Sequence, residues 1–331
     1  MTRNQIGRSA PFGDLSRRRF IGTSASAAAG FMLLPGCTGT NRSKFKGVQI
    51  GAISYSYRDI SSSAEDILGY LLEAGLGSVE LMGNTIEQFA GIPEGPPRPQ
   101  RGVEMTDDQR AEYQEARERA AEELHLWRLS PPMEKFEALR RMYNDEGVDI
   151  HIAKLGSHSW PEGEIDYAFN VARALGARGI SMEISVDAAR IMAPHAERHG
   201  LYTIFHQHGQ VAEPDFSFDD YLDFGSSLML NFDVGHAFGF TGRHPNETIE
   251  RYHDRIVSIH LKDKTGPDSE PANRNMPWGE GETPIADILL LIRDKGWPIH
   301  VDIELEYPVP DGSTSAAEVR RCVDFCREIL S

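Results

Sequence analysis

Residues 228–238 read "LMLNFDVGHAF". The stretch opens on Leu228, Met229, Leu230 and Phe232 without strict alternation, as a strand buried on both faces does. It closes on Asp233 and His236, two good metal ligands three residues apart. A buried strand that ends in ligands suits the rim of a parallel barrel, where the C-terminal ends of the strands carry the site.

Seven more runs share this character: 48–57 ("VQIGAISYSY"), 77–83 ("GSVELMG"), 148–160 ("VDIHIAKLGSHSW"), 179–185 ("GISMEIS"), 202–209 ("YTIFHQHG"), 256–263 ("IVSIHLKD") and 299–307 ("IHVDIELEY"). Amphipathic stretches such as "EIDYAFNVARALGAR" and "DAARIMAPHAERHG" lie between them, the second ending in glycine as helices often do. Eight apolar runs alternating with helices predict a parallel sheet closed as an α/β (β/α)8 TIM barrel. A doubly wound open sheet is the alternative, weakened because no GxGxxG follows the first run. One connection is long. Residues 84–147 begin with the proline-rich "GIPEGPPRPQRG" and continue as the charged "MTDDQRAEYQEARERAAEELHLW". This predicts a helical insertion between strands two and three, either a solvated surface helix or a lid over the mouth.

The chain has 331 residues, 40% of them hydrophobic, which is enough for one barrel of roughly 250 residues. A formal net charge of -16 repels phosphate backbones and argues against a nucleic-acid partner. No run of about 20 apolar residues predicts a membrane span in the body. The first 36 residues read separately. "SRRRFI" (16–21) precedes the small, apolar "ASAAAGFMLL" (25–34) and resembles a twin-arginine export signal. That predicts export, with the protein in the periplasm or anchored on the outer side of the inner membrane. "LPGC" (34–37) resembles a lipobox, so lipidation of Cys37, cleavage nearby and an uncleaved anchor all stay open. Removing residues 1–36 moves the formal net charge from -16 to -20. Residues 37–46 read as a linker, and the barrel is expected over 47–331. Cys322 and Cys326, four apart on the last predicted helix, read as core filler.

Nearly every run gathers ionisable residues at its end: Glu80 on the second, Lys154 and His158 on the third, Glu183 on the fourth and His206 and His208 on the fifth. Asp233 and His236 follow on the sixth, His260, Lys262 and Asp263 on the seventh, and Glu304 and Glu306 on the eighth. An isolated charge there costs several kcal/mol unless it is paired or holds a metal. Carboxylates with imidazoles and no cysteine suit one divalent ion: Mn, Co, Mg, Fe or Zn. The spacing 206, 233, 260 and 304 takes one residue from each of four successive βα units.

With "FHQHG" (205–209), "DVGH" (233–236), "HLKD" (260–263) and "IELEY" (303–307), residues 45–331 resemble the xylose isomerase-like barrel superfamily of sugar phosphate isomerases and epimerases. Tagatose 3-epimerase-type enzymes, inosose isomerases and dehydratases, and 3-dehydroshikimate dehydratases belong to it. "WGEGETPI" (278–285) and "EYPVPDGS" (306–313) resemble an exported branch. The resemblance implies one cation held by Asp233, His260, Glu304 and a fourth ligand. The family's first glutamate has no match: strand five offers His206, and Glu183 on strand four is the other candidate. It further implies that Glu304, Glu183, His208 and Lys154 are the acid–base candidates. Substrate contacts would come from His236, Lys262, Glu80 and His158, and Trp160, Trp278 and the "NRNMPWGEGE" loop could shape the pocket. With His206 in place of a glutamate, one-base isomerisation, elimination or hydration gains over symmetric epimerisation.

The expected function is a metal-dependent isomerase or epimerase on a non-phosphorylated keto-sugar or 3-keto-glycoside, with a dehydratase-type lyase next. A non-catalytic exported sugar-binding barrel and an endonuclease IV-like nuclease are the competing classes, the latter opposed by the charge. A homo-oligomer is left open.

Overall fold

The computed structural model describes residues 42–97, 99 and 104–331. The expected leader, the lipobox and Cys37 lie outside the described residues. The eight predicted runs each form a strand: β1 (Val48–Ile53), β2 (Ser78–Met82), β3 (Asp149–Lys154), β4 (Gly179–Glu183), β5 (Tyr202–His206), β6 (Leu228–Asp233), β7 (Ile256–Leu261) and β8 (His300–Ile303). All pair in parallel with their sequence neighbours, and β8 returns to β1 with Val301 opposite Ile50. The sheet therefore closes as a (β/α)8 barrel, with all strand C-termini at one mouth.

Several runs are shorter as strands than as apolar patterns. Ser54–Tyr57 turn into a 3-10 helix, and Val234–Thr241 form helix α8, so His236 sits on a helix and not on a strand. The linker also ends earlier than expected. Lys44 and Phe45 pair antiparallel with Gln49 and Val48, and buried Ser43 donates to the Ile50 carbonyl at 2.6 Å. No helix among the described residues is long and apolar enough to cross a membrane.

The insertion contains α2 (Gly83–Ala90), α3 (Asp107–Leu129) and α4 (Met133–Asp145). A Thr106–Gln109 capping box starts α3: Gln109 N–H donates to Thr106 Oγ1 at 3.2 Å, and Thr106 N–H to Gln109 Oε1 at 2.9 Å. Along α3 only Arg128 is buried. Its guanidinium donates to Glu87 on α2 and to Glu164 on α5 (Glu162–Leu175), each at 2.8 Å, and lies 3.9 Å over the Trp160 ring. The exposed helix is thus held at its C-terminal end by a buried ion-pair cluster.

Inside the barrel, Ile152, Ile204, Met229 and Val257 form a small apolar cluster separate from the larger core under the helices. Beside it runs a polar seam that the sequence reading missed. Buried Asp302 on β8 accepts from Ser258 Oγ at 2.6 Å and meets His151 Nε2 at 2.8 Å, and His151 stacks on His300. The cysteines Cys322 and Cys326 are free and buried on α11 (Ser315–Leu330), as core filler would be.

Candidate metal centre

Four buried side chains from consecutive strand ends converge at the mouth. One ligand atom each from His206, Asp233, His260 and Glu304 lies within 4.8 Å of the other three.

Asp233 shows how the local sequence builds this. It is the last residue of β6 and the N-cap of α8. Its Oδ1 accepts from His236 N–H at 2.8 Å, satisfying the helix terminus. Gln207 locks its main chain from both sides, donating to the Asp233 carbonyl at 2.7 Å and accepting from its N–H at 3.1 Å. Oδ2 is left pointing into the site, 3.8 Å from His206 Nε2 and 3.6 Å from His236 Nε2.

His260 is oriented from below. Its Nε2 lies 2.7 Å from Glu80 Oε2, so Nδ1 faces Glu304 Oε2 at 2.9 Å. Glu80 is fully buried and also accepts from Ser181 Oγ at 2.5 Å and Asn231 Nδ2 at 2.7 Å. It therefore lies beneath the ring and away from the open mouth, whereas the sequence suggested Glu80 as a substrate contact. A carboxylate behind a histidine is the usual support of a metal ligand. Burial alone would raise the Glu80 pKa, but His260 outweighs it and holds the carboxyl at about 2. Burial likewise works to lower His260, and the flanking Glu304 and Glu80 hold it well above the usual histidine range.

The Lys262 ammonium stands among three carboxylates, 2.8 Å from Asp233 Oδ2, 2.6 Å from Glu304 Oε2 and 2.7 Å from Glu306 Oε2. Burial opposes its charge, and those acids more than restore it. A bare face of α8 admits the lysine. A β-carbon on Gly235 would come 2.1 Å from Lys262 Cγ, and one on Gly239 2.8 Å from Cε of the buried Lys264.

These residues fit a divalent cation. Asp233 Oδ2, His260 Nδ1, Glu304 Oε2 and His206 Nδ1 are buried and lack a hydrogen bond of good geometry, although some stand at ion-pair distance. Burial pushes Asp233 above its ordinary range even against the pull of Lys262, with the Glu304 carboxylate adding to the rise.

Glu183 does not join the group. It is half exposed and pairs with His208 Nδ1 at 2.8 Å and Lys154 Nζ at 3.4 Å. That hydrogen bond raises the His208 pKa. His158 lies in the turn after β3, partly exposed. Burial, then Lys262 and Lys264, push His236 down to about 2. Trp160 lies under Arg128, and Trp278 packs edge-on against Phe325 of α11, 6.0 Å between centroids. Asp263 does not pair with Lys262. It accepts from the N–H groups of Gly279, Gly281 and Thr283 and pins the loop after β7.

Residues 178–329 match the family model of the xylose isomerase-like TIM barrel. The match spans β4 to β8, the strands that carry all four converging ligands. No curated protein matches the chain. Among solved structures with the xylose isomerase-like fold, a sugar phosphate isomerase/epimerase from Parabacteroides distasonis is 15% identical with a TM-score of 0.55, the alignment covering 89% of this chain and 99% of that one. A probable 3-DHS dehydratase of petrobactin synthesis from Bacillus anthracis is 15% identical with a TM-score of 0.56, covering 84% and 98%. An IolI protein with a bound zinc atom is 12% identical with a TM-score of 0.54, covering 86% and 98%. Likenesses this distant establish the shared fold.

Proposed function

We propose that this chain is a metal-dependent enzyme that removes a proton next to the carbonyl of a non-phosphorylated keto-sugar or 3-keto-glycoside. The observation that carries the reading is the buried convergence of His206, Asp233, His260 and Glu304 around atoms with no hydrogen bond of good geometry. Asp233, His260 and Glu304 would hold the ion, with His206 as fourth ligand. When bound, a divalent cation supplies a Lewis acid for the carbonyl oxygen.

The chain's own groups divide the rest. Glu304 takes the proton from the carbon beside the carbonyl, and the bond electrons move onto the carbonyl oxygen. Lys262, held charged by its three acids, stabilises the oxyanion. His208, held protonated by Glu183 and open to solvent, returns a proton. Delivered to the former carbonyl carbon, while the proton of the α-hydroxyl passes to the oxyanion, it completes an isomerisation. Delivered to a β-hydroxyl, which leaves as water, it completes a dehydration. Both outcomes gain over symmetric epimerisation, since His206 stands where that reaction would need a second glutamate.

The leader at 1–36 is taken as a twin-arginine export signal, which would put the enzyme outside the cytoplasm with free sugars. Replacing Arg17 and Arg18 with lysine should leave the protein in the cytoplasmic fraction.

The test of activity is elemental analysis of the purified protein, then a screen of its metal form against keto-sugars in D2O by NMR. Deuterium should enter beside the carbonyl, and E304Q should abolish it. A chain that binds none of Mn, Co, Mg, Fe or Zn, or binds one and exchanges no proton in any keto-sugar, would leave a sugar-binding barrel as the reading.

A further inference from the structure

A second ligand group shares His206 with the first. One ligand atom each from His206, His208 and His236 lies within 4.8 Å of the other two. The ring centroids of His208 are 4.6 Å from those of His206 and 4.7 Å from those of His236. Nδ1 of both His206 and His236 is buried without a hydrogen bond. Nδ1 of His208 is engaged by Glu183 at 2.8 Å, which turns its other nitrogen outward as a carboxylate-backed ligand. Three imidazoles therefore bring ligand atoms together, with Nδ1 of two rings free, Nε2 of His236 accepting from Lys262 Nζ at 3.3 Å, and the His208 ring open to solvent.

We infer that His206, His208 and His236 form a second cation site, selective for zinc or copper. An all-imidazole set suits these metals and not Mn or Mg, which favour oxygen ligands. His206 completes the first site when the trio is empty; when zinc fills the trio, Asp233, His260 and Glu304 remain as the three protein ligands that a catalytic ion needs.

The metal-stripped full chain is titrated with Zn(II) and separately with Mn(II), and bound metal is counted after gel filtration. Wild type should hold two zinc ions and one manganese ion. H208A, altered at a half-exposed ring, should hold one of either and keep its circular dichroism. D233N, which keeps the helix cap, should lose manganese and retain one zinc ion. A wild-type count below two zinc ions, two retained in H208A, or none in D233N overturns the second site. Loss of manganese binding in wild type would instead count against the catalytic reading.

Discussion

Replacing Glu80 with glutamine tests whether the carboxylate under His260 supports the site. In the apo protein Glu80 is fully buried, and its pKa falls from 4.5 to about 2. Each unit is worth about 1.4 kcal/mol, so its charged form contributes about 3 kcal/mol of stability. Because the folded pKa is the lower one, that contribution is present above pH 4.5 and is lost as pH falls towards 2. E80Q should therefore unfold about 3 kcal/mol more easily than wild type at pH 7 in EDTA, with the gap closing as pH drops to 3 and below. Urea denaturation followed by tryptophan fluorescence across that range measures it. The same change frees the His260 ring, and loss of such a support typically weakens metal affinity by about 10–100-fold. Equal stability at pH 7, a gap unchanged at pH 3, or unaltered metal affinity would each refute the assignment of Glu80 as the support of His260.

Three further outcomes follow. D233N should keep its fold, through the retained cap, and lose manganese affinity by more than about 100-fold, read by competition with a chelating dye. K262M leaves three acids around an empty place; its apo melting temperature should fall, and bound manganese should restore it more than in wild type, read by differential scanning fluorimetry. R128M strands Glu87 and Glu164; it should cost about 3–5 kcal/mol locally and expose residues 104–129 to limited proteolysis while metal content stays unchanged.

The barrel was legible because a parallel strand covered on both faces is apolar throughout, and eight such runs leave few architectures. Strand ends were not. Residues 54–57 ("SYSY") and 234–238 ("VGHAF") carry small and aromatic side chains and no proline past the last ladder bond, so the pattern does not mark where β1 and β6 stop. The choice between Glu183 and His206 was also beyond reach. They stand opposite each other in register on β4 and β5, and which one points inward depends on backbone twist. Arg128, Glu87 and Glu164 are far apart in the chain, so no periodicity announces their meeting. Gln207 and Asn231 could have been suspected, because each is an uncharged polar residue in a run that should be wholly apolar.

The two glycines of α8 have a mechanical consequence. That helix carries His236, and its bare flank is filled by two lysines, Lys262 against Gly235 and Lys264 against Gly239. At Gly235 the lysine is the one held by Asp233, Glu304 and Glu306, so a single added methyl there would displace it and loosen the whole charge cluster along with the helix.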